Sequence, residues 1–89
     1  MKRQGHKGDT MFRTLLKTEA LTVDGQMYPV RYFELRTMRG ARRYSAELLL
    51  SPGDHIILDD DSVSNLEART VRLAPATVYS RVLAGRTAA

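Results

Sequence analysis

The sequence of 89 residues contains no cysteine, which excludes disulfides, thiolate nucleophiles and cysteine-ligated zinc sites. No stretch approaches the roughly 18 apolar residues that a membrane-spanning helix needs. The cations near the amino terminus are not followed by an apolar run, so they do not form a secretory signal. We therefore predict a soluble protein of a reducing, cytoplasmic compartment, without a membrane partner.

The usual signatures of catalysis and cofactor binding are also missing. The chain has no glycine-rich phosphate loop, no G-x-S-x-G nucleophile elbow, no zinc-finger spacing and no aromatic motif for single-stranded RNA. His6 lies in a polar segment, and His55 lies next to a Pro-Gly turn. Glu34 and Glu47 are predicted to share a sheet face, but nearby arginines would hold both ionised, which does not suit a general acid. We predict that the protein is not an enzyme, uses no cofactor and has no small-molecule substrate.

The positive charge is unevenly distributed along the chain. Of the formal net charge of +4, the first nine residues contribute +2, from three cations and one aspartate. Residues 31–43 hold five arginines and one glutamate, whereas residues 54–67 hold four aspartates and one glutamate. The chain is therefore dipolar more than it is basic, and its two charged segments are complementary to each other.

The first two-thirds of the chain has the pattern of β-strands. Strands are predicted at 11–23, 26–37, 42–51 and 55–59, each rich in apolar or β-branched residues and bounded by turn signals. Asp24-Gly25 is a strong hairpin signal, and the residues 51–54, Ser-Pro-Gly-Asp, fit a type II turn. Pro29 cannot donate to a ladder, so the second strand is predicted to be an edge or to carry a bulge there.

Helical spacing follows the fourth strand. A first helix is predicted from an N-cap at Asp61 or Ser62 to about Ala74. Pro75 is costly inside a helix, so it is predicted to open a second helix that ends at the C-cap Gly85. The predicted fold class is α+β: a four-stranded antiparallel β-meander, forming a curved sheet, followed by two C-terminal α-helices packed on one face.

The predicted domain organisation is simple. Residues 1–10 are assigned to a flexible basic tail, residues 11–85 to a single α+β domain and residues 86–89 to a frayed carboxyl terminus. The runs ELLL at 47–50 and IIL at 56–58 lack the alternation of a sheet with one wet face. Two helices cover one face only, so the second face needs a cover too. We expect either a strongly curved sheet or a homodimer.

The segment RTMRGARRYS, residues 36–45, is predicted to form the hairpin between the second and third strands. A two-residue loop at Arg39-Gly40 puts Leu35 opposite Tyr44, on the core face of the sheet. A slip of one residue would exchange the two faces, so this pairing decides where the arginines point.

The arginines of this hairpin are the candidate site. They are predicted to bind phosphates or another anion, and an aromatic residue on the outer face is positioned to stack on a base. The candidate residues are Arg36, Arg39, Arg42, Arg43 and Tyr32. Arg36 is expected to lie opposite Arg43 on the outer face, at some cost in stability. Two alternatives remain: a solvated surface whose charge is offset by Glu34 and Glu47, or a contact with the acidic segment of another chain.

The acidic segment HIILDDDS, residues 55–62, offers His55 and three consecutive aspartates as candidate metal ligands. Consecutive strand residues point to opposite faces, and the spacing of an EF-hand loop is absent. Acids that precede a helix are common for capping and dipole reasons alone. We therefore predict no metal site.

The strands followed by DDDSVSNLEARTV resemble the HicB-type antitoxin domain, in which a curved antiparallel sheet leads into a helix with a GDSxxEAL-like opening. The match covers about residues 61–68 and the strands before them, with Asp in place of the glycine and NLEA in place of EAL. The resemblance implies binding to a partner protein and regulation in trans. The phrase is also a helix start signal, and we do not assign the chain to this family.

Three functions follow from the sequence, in decreasing order of support. The first is a small non-catalytic interaction or regulatory module that associates with itself or with another protein. The second is a nucleic-acid-binding module that uses the arginine hairpin, aided by Arg69 and Arg72. The third is an enzyme subunit or metal protein. A steep dependence of nucleic-acid binding on salt would distinguish the second from the first.

Overall fold

A computed structural model describes residues 11–88, and the predicted tail at 1–10 lies outside the described residues. The chain forms a four-stranded antiparallel sheet followed by one helix, and the strands lie in the order β1-β2-β3-β4. The elements are β1 (Met11–Val23), β2 (Gln26–Thr37), β3 (Arg42–Ser51), β4 (Asp54–Asp60) and α1 (Val63–Ala88). The predicted antiparallel meander is confirmed.

The first hairpin forms where the sequence predicts it. Asp24 and Gly25 both have positive φ, at 52° and 77°, which is the conformation of a two-residue hairpin turn. Pro29 lies opposite Ala20 of β1, whereas the ladder between β2 and β3 begins only at Val30. Pro29 has no amide hydrogen to donate. Because no residue of β3 lies opposite it, no hydrogen bond between β2 and β3 is lost there.

The core lies between α1 and one face of the sheet. The helix contributes four buried side chains spaced four residues apart: Leu66, Thr70, Ala74 and Val78. The central strands contribute Val30, Tyr32, Ala46 and Leu48. The strand residues are alternate residues of β2 and β3, because strand side chains alternate between faces, and the helical residues share one side because they are four residues apart.

One helix replaces the two that the sequence predicts, and that prediction is wrong. Pro75 lies inside α1, where its ring removes the hydrogen bond that residue 75 would donate to the carbonyl of Val71. Both residues are exposed, so water can reach the freed carbonyl. Ala74 and Val78 stay buried on the opposite side of the helix, and their packing stabilises a continuous helix.

The carboxyl-terminal end of α1 also differs from the prediction. The helix passes through Gly85 and ends at Ala88, so Gly85 is not a C-cap. Ser62 is confirmed as the residue at the N-cap: its hydroxyl oxygen accepts a hydrogen bond from the Asn65 amide at 3.3 Å, and its carbonyl accepts one from the Leu66 amide at 3.0 Å.

The pairing of β2 with β3 is displaced by one residue from the prediction. Leu35 lies opposite Arg43 and not opposite Tyr44. The loop is longer than two residues: the Gly40 amide donates to the Thr37 carbonyl at 2.9 Å, and the Thr37 amide donates to the Ala41 carbonyl at 3.0 Å. Gly40 has a φ of 85°, which a residue with a Cβ adopts only at a cost. The displacement moves the odd-numbered residues of β2 away from the core.

Candidate interaction surface

The face of the sheet opposite α1 is called the open face. Its side chains belong to alternate residues of all four strands, and they include Arg13, Leu15, Thr18, Arg31, Phe33, Leu35, Arg43, Ser45, Glu47, Leu49, His55, Ile57 and Asp59. The molecule extends 44 × 32 × 16 Å along its principal axes, and the shortest dimension accommodates one helix and one sheet. Among the described residues, no second helix or sheet lies over the open face.

Aromatic and cationic groups pack closely at the centre of the open face. Phe33 is only 8% exposed and Ser45 only 6%. The guanidinium of Arg13 lies 3.7 Å from the centroid of the Phe33 ring, within the range of a cation–π contact. The arginine side chain therefore covers an apolar ring that would otherwise meet water.

Glu47 is the acidic centre of the open face. Its side chain is 15% exposed, and its carboxylate lies 3.8 Å from Arg13, 3.9 Å from Arg31 and 3.8 Å from the His55 ring nitrogen Nε2. Each distance exceeds that of a hydrogen bond, so the two arginines make charge contacts only, and the His55 ring adds a charge only when it is protonated. The largely covered carboxylate keeps its capacity to accept hydrogen bonds from a partner.

The open face combines apolar residues with charges of both signs. Leu15 and Ile57 are more than half exposed, and they lie in β1 and β4, on either side of the charged centre. Protein–protein interfaces usually have an apolar core and a polar rim, whereas on the open face the charged residues are central and the exposed apolar residues flank them.

The structure separates the arginines of the hairpin onto different sides. Arg36 pairs with Arg42 across the ladder and not with Arg43, so the predicted opposition of Arg36 and Arg43 is wrong. Arg36 and Arg42 both approach Glu34, at 3.9 and 3.5 Å. Their charge is therefore shared with one carboxylate.

The other two arginines of the hairpin differ in their partners. Arg43 forms an ion pair and hydrogen bond with Asp61, which links the hairpin to the residues before α1. Arg39 lies at the exposed tip between β2 and β3, and no ion pair to it occurs within residues 11–88. The four arginines thus do not form one basic surface.

Tyr32 does not lie on the outer face, and that prediction is wrong. Its side chain is 1% exposed and packs beneath α1. Burial raises the pKa of the Tyr32 phenol above its ordinary value, and the negative charge of Glu19 acts in the same direction. A buried ring cannot stack on a base, so Tyr32 belongs to the core.

Lys17 lies at the margin of α1, close to the Tyr32 ring. Its ammonium group lies 5.2 Å from the ring centroid and forms ion pairs with Glu67 of α1 and, at 3.1 Å, with Glu19 of its own strand. The hydrogen bonds to Glu67 and then to Glu19 raise the pKa of Lys17 above its ordinary value. The lysine is therefore held against its own chain.

The acidic segment has structural partners in its own chain. Asp60 accepts hydrogen bonds from Arg69 at 2.9 Å and from the amides of Asp61 and Ser62. The Arg69 guanidinium, followed by these amides, holds the pKa of Asp60 below its ordinary value. No cluster of potential metal ligands occurs in the part of the chain that the structure describes.

The two glutamates considered as a carboxylate pair are separated by the sheet. Glu34 and Tyr44 are directly paired and lie on the helix side, whereas Glu47 lies on the open face. The predicted sharing of one face is wrong, and Glu34 and Glu47 do not converge on a common substrate position.

Sequence reasoning did not find Arg13, Arg31, Glu47 and His55 as one cluster. The residues are spread over four strands, and only the register brings them together. A signal was present in β2, where Tyr28, Val30 and Tyr32 alternate with Pro29 and Arg31. This alternation indicates that the even-numbered residues face the core.

Comparisons of the chain with protein-family models, with curated proteins and with solved structures find no match. Within residues 11–88, no helix combines the length and apolarity that crossing a bilayer requires.

Proposed function

We propose that the protein is a small non-catalytic interaction module that associates with a second copy of itself through the open face. The observation that carries the proposal is the uncovered state of this face, which holds Leu15 and Ile57 more than half exposed beside the largely covered Glu47. Packing against another sheet would remove these apolar side chains from water.

The charge pattern of the open face favours a second copy as the partner. Thr18, Arg31, Glu47 and Ile57 form one row across the four strands. A two-fold axis parallel to the strands, between β2 and β3, exchanges β1 with β4 and β2 with β3 while keeping each row at its own height. Arg31 of one copy then faces Glu47 of the other, twice, and Ile57 faces Thr18.

The area of the face is in the range of a specific contact. Ten residues of β3 at about 3.4 Å each and four strands about 4.8 Å apart give a face of about 650 Å². Stable protein–protein contacts bury about 800 Å² of accessible surface on each partner, and the relief of the side chains brings the two values close together.

The test is the mass of the purified chain by light scattering coupled to size-exclusion chromatography, over a range of concentrations. The variant Ile57→Lys introduces a charge at the exposed apolar residue of β4 on the open face. It is expected to lower the mean mass relative to the unchanged protein, because an unpaired charge would be buried in the contact. Ile57 is 54% exposed in the single chain, so its replacement leaves the fold intact.

A matched control is Tyr79→Lys, at a residue that is 63% exposed on α1 and away from the open face. It introduces the same charge and is expected to leave the mass unchanged. The proposal is contradicted if the unchanged protein has the mass of one chain, 10.0 kDa, at all concentrations. It is equally contradicted if both variants behave alike.

A second function, nucleic-acid binding by the hairpin, is favoured by one observation. Arg39 is exposed at the hairpin tip, and within residues 11–88 no carboxylate pairs with it. Fluorescence anisotropy with duplex DNA, single-stranded DNA and RNA at two salt concentrations tests this function. Arg39→Ala is expected to weaken binding, and Arg81→Ala, at an exposed arginine of α1 that this hypothesis does not include, serves as the control. Absence of binding at low salt removes this function.

A further inference from the structure

Strand β1 is the unoccupied edge of the sheet. It spans 13 residues and pairs with β2 on one side only, and no described strand lies on its other side. A long edge strand presents a row of free backbone amides and carbonyls, which is a template for pairing with another chain.

The other edge of the sheet is protected. Strand β4 spans only seven residues and carries aspartates at 54, 59 and 60. The Arg69 guanidinium lies against its backbone and donates a hydrogen bond to the Asp59 carbonyl oxygen at 2.7 Å. Short length, charge and a covering side chain are the devices that prevent edge pairing, and on β4 all three occur together.

We propose that β1 pairs antiparallel with β1 of a second copy, centred on Thr18. An antiparallel pair of identical strands has one residue opposite its own copy. Centring on Lys17 or Glu19 would place like charges directly opposite each other, which is destabilising. Centring on Thr18 places Lys17 of each copy opposite Glu19 of the other, so unlike charges are opposed at both positions and no like charges meet.

The faces of the strand agree with this register. Lys17 and Glu19 pair with Tyr32 and Val30, which lie on the helix side, whereas Thr18 pairs with Arg31 of the open face. The side chains that meet across the contact therefore lie on the same side of the joined sheet. The bulge between Leu15 and Lys17 ends the regular part of β1, so pairing extends over residues 16–20.

Lysine on an edge strand commonly opposes pairing, but Lys17 does not act in this way. Its ammonium group is held by Glu67 and Glu19 of its own chain, and its charge is therefore offset before a second copy approaches. The ammonium is turned toward α1 and leaves the backbone of the edge accessible.

This contact is separate from the open face and does not depend on it. The edge contact joins two sheets side by side, whereas the face contact stacks them. A chain that uses both contacts has two neighbours, so the mass of the unchanged protein is expected to rise beyond two chains at high concentration. The mass of the variant Ile57→Lys is expected not to exceed that of two chains, because only the edge contact remains.

Cysteine cross-linking tests the register directly, because the chain has no cysteine of its own. In the variant Thr18→Cys, the two new cysteines lie opposite each other with Cα atoms about 4.5–5.5 Å apart, within the range of a disulfide. Mild oxidation of the full chain is expected to give cross-linked dimer on a non-reducing gel.

The matched control is Thr22→Cys, an exposed threonine on the same strand and the same face. In the proposed register its two copies are eight residues out of alignment, about 27 Å apart. Thr18→Cys is expected to give about tenfold more cross-linked dimer than Thr22→Cys, since a disulfide requires Cα atoms within about 7 Å. Equal yields from the two variants, or none from Thr18→Cys, overturn the proposal.

A charge exchange provides a second measurement. Glu19→Lys alone places lysines opposite each other, and Lys17→Glu alone places glutamates opposite each other. Each variant is expected to lose the edge contact, whereas an equal mixture of the two regains it as a mixed dimer in which every pair is complementary. Circular dichroism verifies that both variants are folded. Failure of the mixture to associate more than either variant contradicts the register, while a loss of mass in Ile57→Lys still reports on the open face.

Discussion

The hydroxyl of Tyr32 is a buried polar group in the core. Removal of this hydroxyl is expected to stabilise the protein. The side chain is 1% exposed, and its oxygen has no hydrogen-bond partner within the described residues. The nearby hydroxyl of Thr70 donates instead to the Leu66 carbonyl, at 2.7 Å. Burial raises the pKa of the phenol, and the neighbouring Thr70 hydroxyl partly offsets this rise, but no hydrogen bond of good geometry to the phenol oxygen forms within the described residues.

The magnitude follows from two opposing terms. A buried polar group without a partner costs about 1–3 kcal/mol, which the substitution Tyr32→Phe recovers. The lost oxygen leaves a gap smaller than a methyl group, at a cost below about 1 kcal/mol. The net expectation is a gain of about 1 kcal/mol in the free energy of unfolding, equivalent to a rise of about 4–8 °C in Tm for a domain of this size.

Urea unfolding followed by circular dichroism measures the effect, at one fixed chain concentration because association contributes to apparent stability. The urea midpoint is expected to increase while the slope of the transition stays constant. Tyr79→Phe, at an exposed residue, is the control and is expected to change nothing. A loss of 1 kcal/mol or more in Tyr32→Phe, of the size expected when a hydrogen bond is removed, refutes the reasoning.

Three further changes are predicted to alter stability. Pro75→Ala is expected to stabilise the protein by about 2 kcal/mol, since proline inside a helix costs about 3 kcal/mol and part of this is offset by the more flexible unfolded chain; an unchanged urea midpoint would contradict it. Gly40→Ala is expected to destabilise by about 1 kcal/mol in the same assay because of the positive φ at this residue, whereas an increase in stability would argue against the loop geometry. Asp60 has a pKa lowered by Arg69, so its contribution is present above about pH 4 and is lost as the pH falls through the lowered value; acid titration of unfolding is expected to show a smaller loss in Asp60→Asn than in the unchanged protein, and equal losses would contradict this.

The strands were predictable from the sequence because their boundaries depend on local chemistry. Asp24-Gly25 and the alternation in β2 specify turns and extended segments without reference to the rest of the chain. The continuous helix was not predictable from local sequence. The destabilising effect of Pro75 on a helix is local, whereas the packing that offsets it depends on the rest of the fold. The exposure of Pro75 and the burial of Ala74 and Val78 are set by packing on the sheet, which local propensity does not contain.

The predicted register of the arginine hairpin was wrong for a related reason. Both faces of β2 carry large apolar side chains, Tyr32 on one and Phe33 on the other, so hydrophobicity near the hairpin does not select a face. The core face of β2 is identified only at a distance from the hairpin, where Val30 is fully buried and Arg31 is exposed. The cluster around Glu47 could not be predicted, since its members meet only in that register.

The arginines of the open face explain how the surface proposed to bind a second copy tolerates water in the single chain. In the single chain, the Arg13 guanidinium covers the Phe33 ring, and Arg13 and Arg31 flank the Glu47 carboxylate without hydrogen-bonding to it. Long flexible side chains shield apolar surface cheaply and can move aside when a partner arrives. Because the carboxylate still accepts hydrogen bonds, Arg31 of a second copy in the proposed dimer would gain contacts that its own chain does not make. Under this proposal, association exchanges weak internal charge contacts for stronger ones between chains, and its strength is expected to fall as salt screens the charges.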